Sequence, residues 1–267
     1  LIRVFGEDMP EVSSTKAFTG HTTSASGSIE TVISILAMEN DFPPANLRWK
    51  KQSEGGIVPT SGRSGVRLDN VICNSFGFGG NDSSIVISRD AVPVTEAPGP
   101  DREFSIAARE TVTSVDELKD LREFVSPMES RRMGKLMKAA HLASLRALKS
   151  AGIACPDAII TATSRGMLEI SMQFLEDINE FDEEHLKPTL FMQSTHNTLS
   201  SAIAIRTACY GYNITYSHSD ESFRWAMRDA ERLLKTGKVK SVLVGSFDES
   251  TPMFSQFAER SGKPVPA

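Results

Sequence analysis

The chain is poor in cysteine, in long apolar runs and in basic tracts, and each shortage removes a class of function. Its three cysteines, Cys73, Cys155 and Cys209, are odd in number and far apart, and none stands in a C-x-x-C pair. That argues against a disulfide framework or a structural zinc site, and it fits a reducing cytoplasm. No apolar run approaches the roughly 20 residues of a membrane span, so no membrane helix is expected. The net charge of −5 comes without basic blocks, so the phosphate-neutralising footprint of a nucleic-acid binder is missing. The opening LIRVFGEDMPEV has no initiator methionine, basic n-region or apolar core. No secretory signal is expected, and Leu1 is not expected to be the natural start. Neither the P-loop order G-x-x-x-x-G-K-[ST] nor the nucleophile elbow G-x-S-x-G occurs.

What is present describes a globular protein: 267 residues, 40% hydrophobic and 24% charged, enough for one large domain or two ordinary ones. The stretch DAVPVTEAPGPDRE, with three prolines and four acids, is too polar and broken to pack as an element. It sets a linker over residues 91–103 between a piece at 1–90 and another at 104–267. Upstream, Ile29, Val32, Ile33 and Leu36 mark one face of a helix, and NVICNSFGFGG followed by SSIVISR reads as a glycine-cornered pair of strands. Downstream, Ser126-Pro127-Met128-Glu129 opens a long helix whose apolar positions run from Met133 to Leu148 and stop at Gly152. The run DAIITAT (157–163) reads as a buried strand, with a helix around 167–178 and another over 195–207. A strand at 213–218, an amphipathic helix from about Ser222 to Lys235 and a core strand within VKSVLVGSF (239–247) follow. Strands alternating with helices predict a layered α/β domain with a largely parallel sheet.

One loop stands out. TKAFTGHTTSASG (Thr15 to Gly27) packs a lysine, a histidine and six hydroxyl side chains into the mouth of the first helix. By itself this is an ordinary Ser/Thr/Gly-rich helix entry with a solvated lysine, and a helix N-terminus also attracts anions. The combination of K-x-x-x-x-H (Lys16, His21) with the later NSFGFGGND (Asn74 to Asp82) is far more specific than either motif alone.

On those two motifs, residues 1–90 resemble the C-terminal end of a β-ketoacyl-acyl carrier protein synthase, a condensing enzyme of the thiolase fold. The resemblance implies an α/β fold of layered, mostly parallel sheets with helices, present here as partial halves. It maps the active-site lysine and histidine onto Lys16 and His21, and a glycine-rich loop with a gating phenylalanine onto Gly77, Phe78, Gly79 and Gly80. Ser24 departs from the glycine usual there. The implied chemistry explains the residue types. Decarboxylation of a malonyl thioester places negative charge on the thioester oxygen, which an imidazole N–H stabilises by about 3 kcal/mol. A nearby ammonium disfavours protonation of that ring, and glycines leave Phe78 room to swing. The family's nucleophilic cysteine and second catalytic histidine belong to segments absent before Lys16, so this chain alone is expected to be inactive.

Residues 104–267 resemble the N-terminal half of the same fold in a divergent branch. FVSPMESRRMGKLMKAA (124–140), FMQSTHNTLSSAIAI (191–205) and GYNITYSH (211–218) are similar to chain-length factors, synthase-like partners of synthases in polyene assembly. Counting forward from Gly211, and back from the helix ending ERLLKTGKVKSVLVG, both reach Asp220 at the nucleophile position, with no cysteine there. Cys209 lies eleven residues earlier and reads as a small structural residue, as does Cys155. Asp220 is then expected as an N-cap or first-turn acid.

His196 and His218 with Ser194, Ser219, Asp220 and Glu221 make a triad on paper, but a window of this size collects such residues by chance. His196 is expected to hydrogen-bond at a helix entry, with Thr195 or Asn197 as the cap. The basic residues Arg131, Arg132, Lys135 and Lys138 read as a solvated helix face or, less directly, as a surface for acidic acyl carrier protein. The whole reads as part of a fusion of a synthase and a chain-length-factor-like domain, an acyltransferase elongating a fatty acyl or polyene chain. The alternative is a non-catalytic partner that shapes a synthase's acyl pocket. The resemblance implies acyl carrier protein as partner, a homo- or heterodimer with a synthase subunit, no cofactor and no metal.

Overall fold

In the computed structural model, which describes residues 1–90, 102–181 and 184–260, the chain divides into two compact units. The first comprises Leu1–Gly77 with Asp82–Thr95, and the second Phe78–Asn81 with Glu96–Ala267. Most of the linker expected over 91–103 lies outside the described residues.

The first unit contains the short helices α1 (Ile2–Phe5) and α2 (Lys16–Thr19), the longer α3 (Ser26–Glu39), and strands β1 (Asn70–Phe76) and β2 (Asp82–Ser88). The two strands pair antiparallel as expected, with Ile72 opposite Val86 and Cys73 opposite Ile85. Helix α3 lies against β1 through small residues. A Cβ on Gly27 would sit 2.5 Å from Ser75 Oγ, and Ser34 Oγ is 3.1 Å from Cys73 Sγ. The helix is where periodicity placed it, but its buried face is not. Val32 and Leu36 are 56% and 49% exposed, whereas Ala37 and Met38 are buried. Gly27 and Ser34 allow close approach on a side that an apolar count passes over.

The second unit carries α4 (Pro127–Ser130), α5 (Lys135–Ala151), β3 (Ala158–Ala162), α6 (Leu168–Phe181), α7 (Pro188–Gln193), α8 (Thr198–Thr207), β4 (Tyr212–Tyr216), α9 (Ser222–Lys235), β5 (Val242–Ser246) and α10 (Pro252–Arg260). Its strands form a parallel sheet in the order β4-β3-β5. Every residue of the central β3 is buried, Thr161 included, which explains why its sequence does not alternate between apolar and charged residues. Side chains alternate across it. Ile159 joins Leu136, Met137 and Ala140 of α5 and Leu199 and Ile203 of α8 on one face. Ala158, Ile160 and Ala162 meet Ala226, Ala230 and Leu233 of α9 on the other. The result is a three-layer α/β/α arrangement. Spacing of four and three residues brings the α9 contacts onto one stripe, so its bounds were legible. A 3-10 segment at Val115–Glu123 adds Leu121 and, just beyond it, Val125, both packed on Leu142 of α5.

The long helix expected from Ser126 is instead two. Ser126 and Glu129 form a reciprocal capping box that opens α4. Gly134, extended at ψ 168°, then restarts the chain as the N-cap of α5. Gly152 ends α5 in the left-handed region, as its position predicts.

Candidate functional site

In the first unit, Lys16 opens α2 and His21 lies in the bend between α2 and a 3-10 turn at Thr23–Ala25. The backbone N–H of Thr23 donates to His21 Nδ1 at 3.2 Å, and Ser26 Oγ lies 2.9 Å from the same nitrogen. An amide N–H only donates, so Nδ1 is the acceptor and the ring proton resides on Nε2. The Ser26 hydroxyl then points its own proton at Nδ1. His21 is exposed, and no hydrogen bond among the described residues engages its Nε2. Lys16 Nζ is ion-paired with Glu30 of α3, a residue the sequence reading passed over. Among the described residues Lys16 therefore ties α2 to α3, and no hydrogen bond joins it to His21. Glu30 sits one α3 turn beyond Ser26, so one helix orients both the histidine and the lysine.

In the second unit, Phe78 is 51% exposed and stacks edge-on against Phe191 at 5.5 Å, which in turn meets Phe174 at 5.6 Å. The Phe78 carbonyl accepts from Asn197 Nδ2 at 2.7 Å, and Asn81 Oδ1 accepts from Ser201 Oγ at 2.8 Å. Gly79 has φ +89°, where any side chain is strained, and a Cβ there would press 2.6 Å from Asn197 Nδ2 and displace the amide that holds the Phe78 carbonyl. The loop is thus a half-exposed aromatic on a glycine turn, held by polar bonds rather than core packing.

The C-terminal ends of β3, β4 and β5 are joined by a polar network, at the end of an open parallel sheet where ligand sites form. Asp248, just past β5, accepts from Thr163 Oγ1 at 2.8 Å and from the N–H groups of Ser164 and Arg165 at 3.0 Å. Glu249 accepts the Glu169 N–H at the start of α6 at 2.8 Å, and burial pushes its carboxyl above the ordinary range. At the mouth of α9, Ser222 Oγ accepts the His218 N–H at 2.7 Å and lies 3.0 Å from the Thr163 carbonyl. Ser219 takes φ +48°, a left-handed conformation uncommon for serine, as the chain turns into α9.

Asp220 lies at that turn, exposed, one residue before the N-cap Glu221. The expected capping role is corrected here. Ser222 serves the helix mouth, and among the described residues the Asp220 carboxylate makes no hydrogen bond.

The paper triad is likewise not assembled. Ser194 Oγ donates to the Phe191 carbonyl at 2.7 Å, while the Ser219 carbonyl accepts from Ser164. No described hydrogen bond links either imidazole to Ser194, Ser219, Asp220 or Glu221. The His196 ring packs against Gly166 instead of bonding at a helix entry. Asn197 occupies the N-cap position of α8, but its side chain is committed to Phe78. Arg131, Arg132 and Lys135 are exposed, and Lys135 pairs with Glu169 at 3.3 Å. Among the described residues no group of three or more His, Cys, Asp or Glu could hold a metal ion, and no helix is long and apolar enough to cross a membrane.

A parallel three-layer unit and a helix-and-hairpin unit that carries the K-x-x-x-x-H loop are what the resemblance to the thiolase-like fold implies. Family comparison agrees. Residues 106–267 match the model of the β-ketoacyl synthase N-terminal domain, and residues 1–50 match that of the C-terminal domain. The chain belongs to the β-ketoacyl synthase family, with its two parts in reversed order. It is 43% identical over 81 residues to 3-oxoacyl-[acyl-carrier-protein] synthase 2 of Coxiella burnetii, covering 29% of this chain and 19% of that protein. It is 37% identical over 89 residues to synthase 1 of Haemophilus influenzae, covering 32% and 22%. The chain thus spans about a fifth of the curated relatives it matches. Among solved structures it is similar in fold to the PfaC keto synthase–chain length factor, with a TM-score of 0.63 at 17% identity over 91% of this chain and 36% of that one.

Proposed function

We propose that residues 1–90 supply the decarboxylation half of a β-ketoacyl-acyl carrier protein synthase site, and that residues 104–267 are a non-nucleophilic, chain-length-factor-like domain. The observation that carries the first part is the histidine geometry. With Nδ1 engaged by the Thr23 N–H and the Ser26 hydroxyl, Nε2 is the ring nitrogen left to donate. As the C–CO₂ bond of a malonyl thioester breaks, its electron pair moves toward the thioester oxygen, and Nε2–H donates to the oxygen where charge develops. Lys16 and Glu30 hold α2 against α3 so that the ring keeps this aim. The resulting carbanion attacks an acyl thioester carried on a cysteine that this chain does not provide at Asp220.

The second part rests on Asp220, an exposed carboxylate at the turn where the family places its nucleophile. A carboxylate there cannot form the acyl thioester, so this domain shapes a pocket and leaves the chemistry to a synthase partner. Phe78, on its glycine turn, gates the acyl path. The thioesters arrive on acyl carrier protein, and the working compartment is a reducing cytoplasm.

In a complete synthase containing this segment, His21→Ala should slow malonyl decarboxylation about 100-fold or more while leaving acyl loading nearly unchanged. Radiolabelled CO₂ release and acyl-enzyme formation measure the two half-reactions separately. Equal losses in both would make His21 a structural residue and overturn the reading.

A further inference from the structure

Two of the three cysteines, distant in sequence, are brought together at the base of the parallel sheet. β3 and β4 pair with Ala158 opposite Tyr212, so Cys155 and Cys209 each stand three residues before their strand, at equivalent places in the register. The two cysteine side chains are close enough for Cys155 to hydrogen-bond Cys209, and a disulfide needs Cα atoms roughly 4.4–6.8 Å apart, a separation of the order of the spacing between neighbouring strands.

The two chains stay close below the strand ends. A Cβ on Gly211 would lie 2.0 Å from the Asp157 carbonyl oxygen, and Cys155 Sγ is 3.5 Å from the carbonyl of Ala208, the residue bonded to Cys209. Cys155 is exposed and Cys209 buried. Burial pushes the Cys209 thiol up, and the neighbouring Cys155 and Asp157 add to the shift. This places one accessible sulfur in front of one sheltered sulfur, at the end of the sheet opposite Thr163, Ser219 and Asp248. Cys73, by contrast, belongs to the first unit and bonds to Ser34 there.

We propose that Cys155 and Cys209 form a peroxide-responsive dithiol that closes to a reversible disulfide across the entrances of β3 and β4. In the first step the Cys155 sulfur attacks one oxygen of hydrogen peroxide and the O–O bond breaks. The products are a sulfenic acid at Cys155 and a hydroxide that leaves as water with the thiol proton. The Cys209 sulfur then attacks the Cys155 sulfur, the S–O bond breaks, and hydroxide leaves as a second water with the Cys209 proton. The two sulfurs have together lost two electrons, and the peroxide has gained them. A small-molecule thiol reverses the bond by exchange at the exposed Cys155 sulfur. In a reducing compartment such a bond is transient, which suits a sensor rather than a staple.

The test is thiol counting and peptide mapping on the purified full chain after treatment with a small excess of hydrogen peroxide. The free thiol count should fall from three to one, with Cys73 remaining. Tryptic peptides 150–165 and 207–224 should be joined, and dithiothreitol should separate them. The melting midpoint should rise by about 5 °C on oxidation, because a long loop has been closed. Cys155→Ser should abolish the joined peptide, and Cys209→Ala should leave a sulfenic acid at Cys155 that dimedone traps. Full alkylation of Cys209 in protein whose Cys155 is already oxidised would overturn the proposal, as would crosslinks formed only between molecules. If Cys209→Ala does not fold, the wild-type peptide map and the surface variant Cys155→Ser decide the matter on their own.

Discussion

The two units of this molecule hold similar apolar residues in opposite states. In the second unit two clusters of buried side chains flank a fully buried central strand, and a third fills the space between α5 and the 3-10 segment. In the first, Ala37 and Met38 are the buried apolar residues among those described, while Val32, Leu36, Ile72, Phe76 and Val86 are all exposed. One helix against a two-stranded hairpin leaves an apolar face on each layer without cover. The lesson is that a helix and a hairpin can be well formed locally and still lack a core, because a core needs a layer on each side of the sheet.

The largest test of that contrast is a pair of truncations followed by urea denaturation of the full chain. Leu142→Ala, at a fully buried position between α5 and the 3-10 segment, should cost about 3 kcal/mol. Val32→Ala, on the exposed face of α3, should stay within about 0.5 kcal/mol. Equal costs would break the comparison by showing that the first unit has a core of its own.

A second pair sharpens it within the second unit, using two acids at one end of one sheet. Asp248→Ala removes the acceptor of the Ser164 N–H and of the Thr163 hydroxyl and one of the two acceptors of the Arg165 N–H, and should cost about 2 kcal/mol. Asp220→Ala should cost far less.

Between these lies His141, 2% exposed on α5, with Nδ1 2.8 Å from the Met137 carbonyl. Burial holds its pKa below the ordinary value of 6.5, the Met137 and Ala202 backbone groups oppose that shift, and Arg206 reinforces it. The unfolded chain therefore takes up the proton first. The stability tied to the neutral ring is complete above about pH 6.5 and is lost as pH falls from there through the lowered folded value. His141→Phe should flatten this slope between pH 7 and 5 in thermal melts. An unchanged slope would show that some other group carries it.

The smallest effect is expected at Asp220. Its carboxylate is exposed and makes no described hydrogen bond, so Asp220→Ala should change stability by less than about 0.5 kcal/mol. A loss near 1 kcal/mol would mean that it caps α9 after all.

These tests also mark how much was legible in advance. α9 could be read with its bounds because Ala226, Ala230 and Leu233 recur on one stripe and Gly237 stops it. β3 could be read because five consecutive buried residues leave no alternation to mistake. The break at Gly134 was not legible, since apolar positions on both sides continue the same period across a turn of four residues. Lys16, His21 and Phe78 stand in motifs that the sequence alone presents, and Asn197 could be placed at a helix entry. The contacts of Glu30, Ser26 and Asp248, and the bond from Asn197 to Phe78, were not legible, because each depends on a partner that only the fold supplies. Asp248, for example, meets Ser164 across 84 residues of sequence.

The sheet order has a consequence for how this chain is made. β3 is the middle strand, yet it is synthesised first, 54 residues before its register partner in β4 and 84 before that in β5, by the pairing of Ala158 with Tyr212 and Val242. At roughly 10 residues per second, the most apolar strand waits about 5 seconds on the ribosome before its first neighbour, β4, exists. During that interval Ala158–Ala162 is an unpaired template with two free edges. Synthesis is therefore the moment of greatest aggregation hazard for this protein, and codons or chaperones that alter the wait before Tyr212 should change its yield more than any surface substitution.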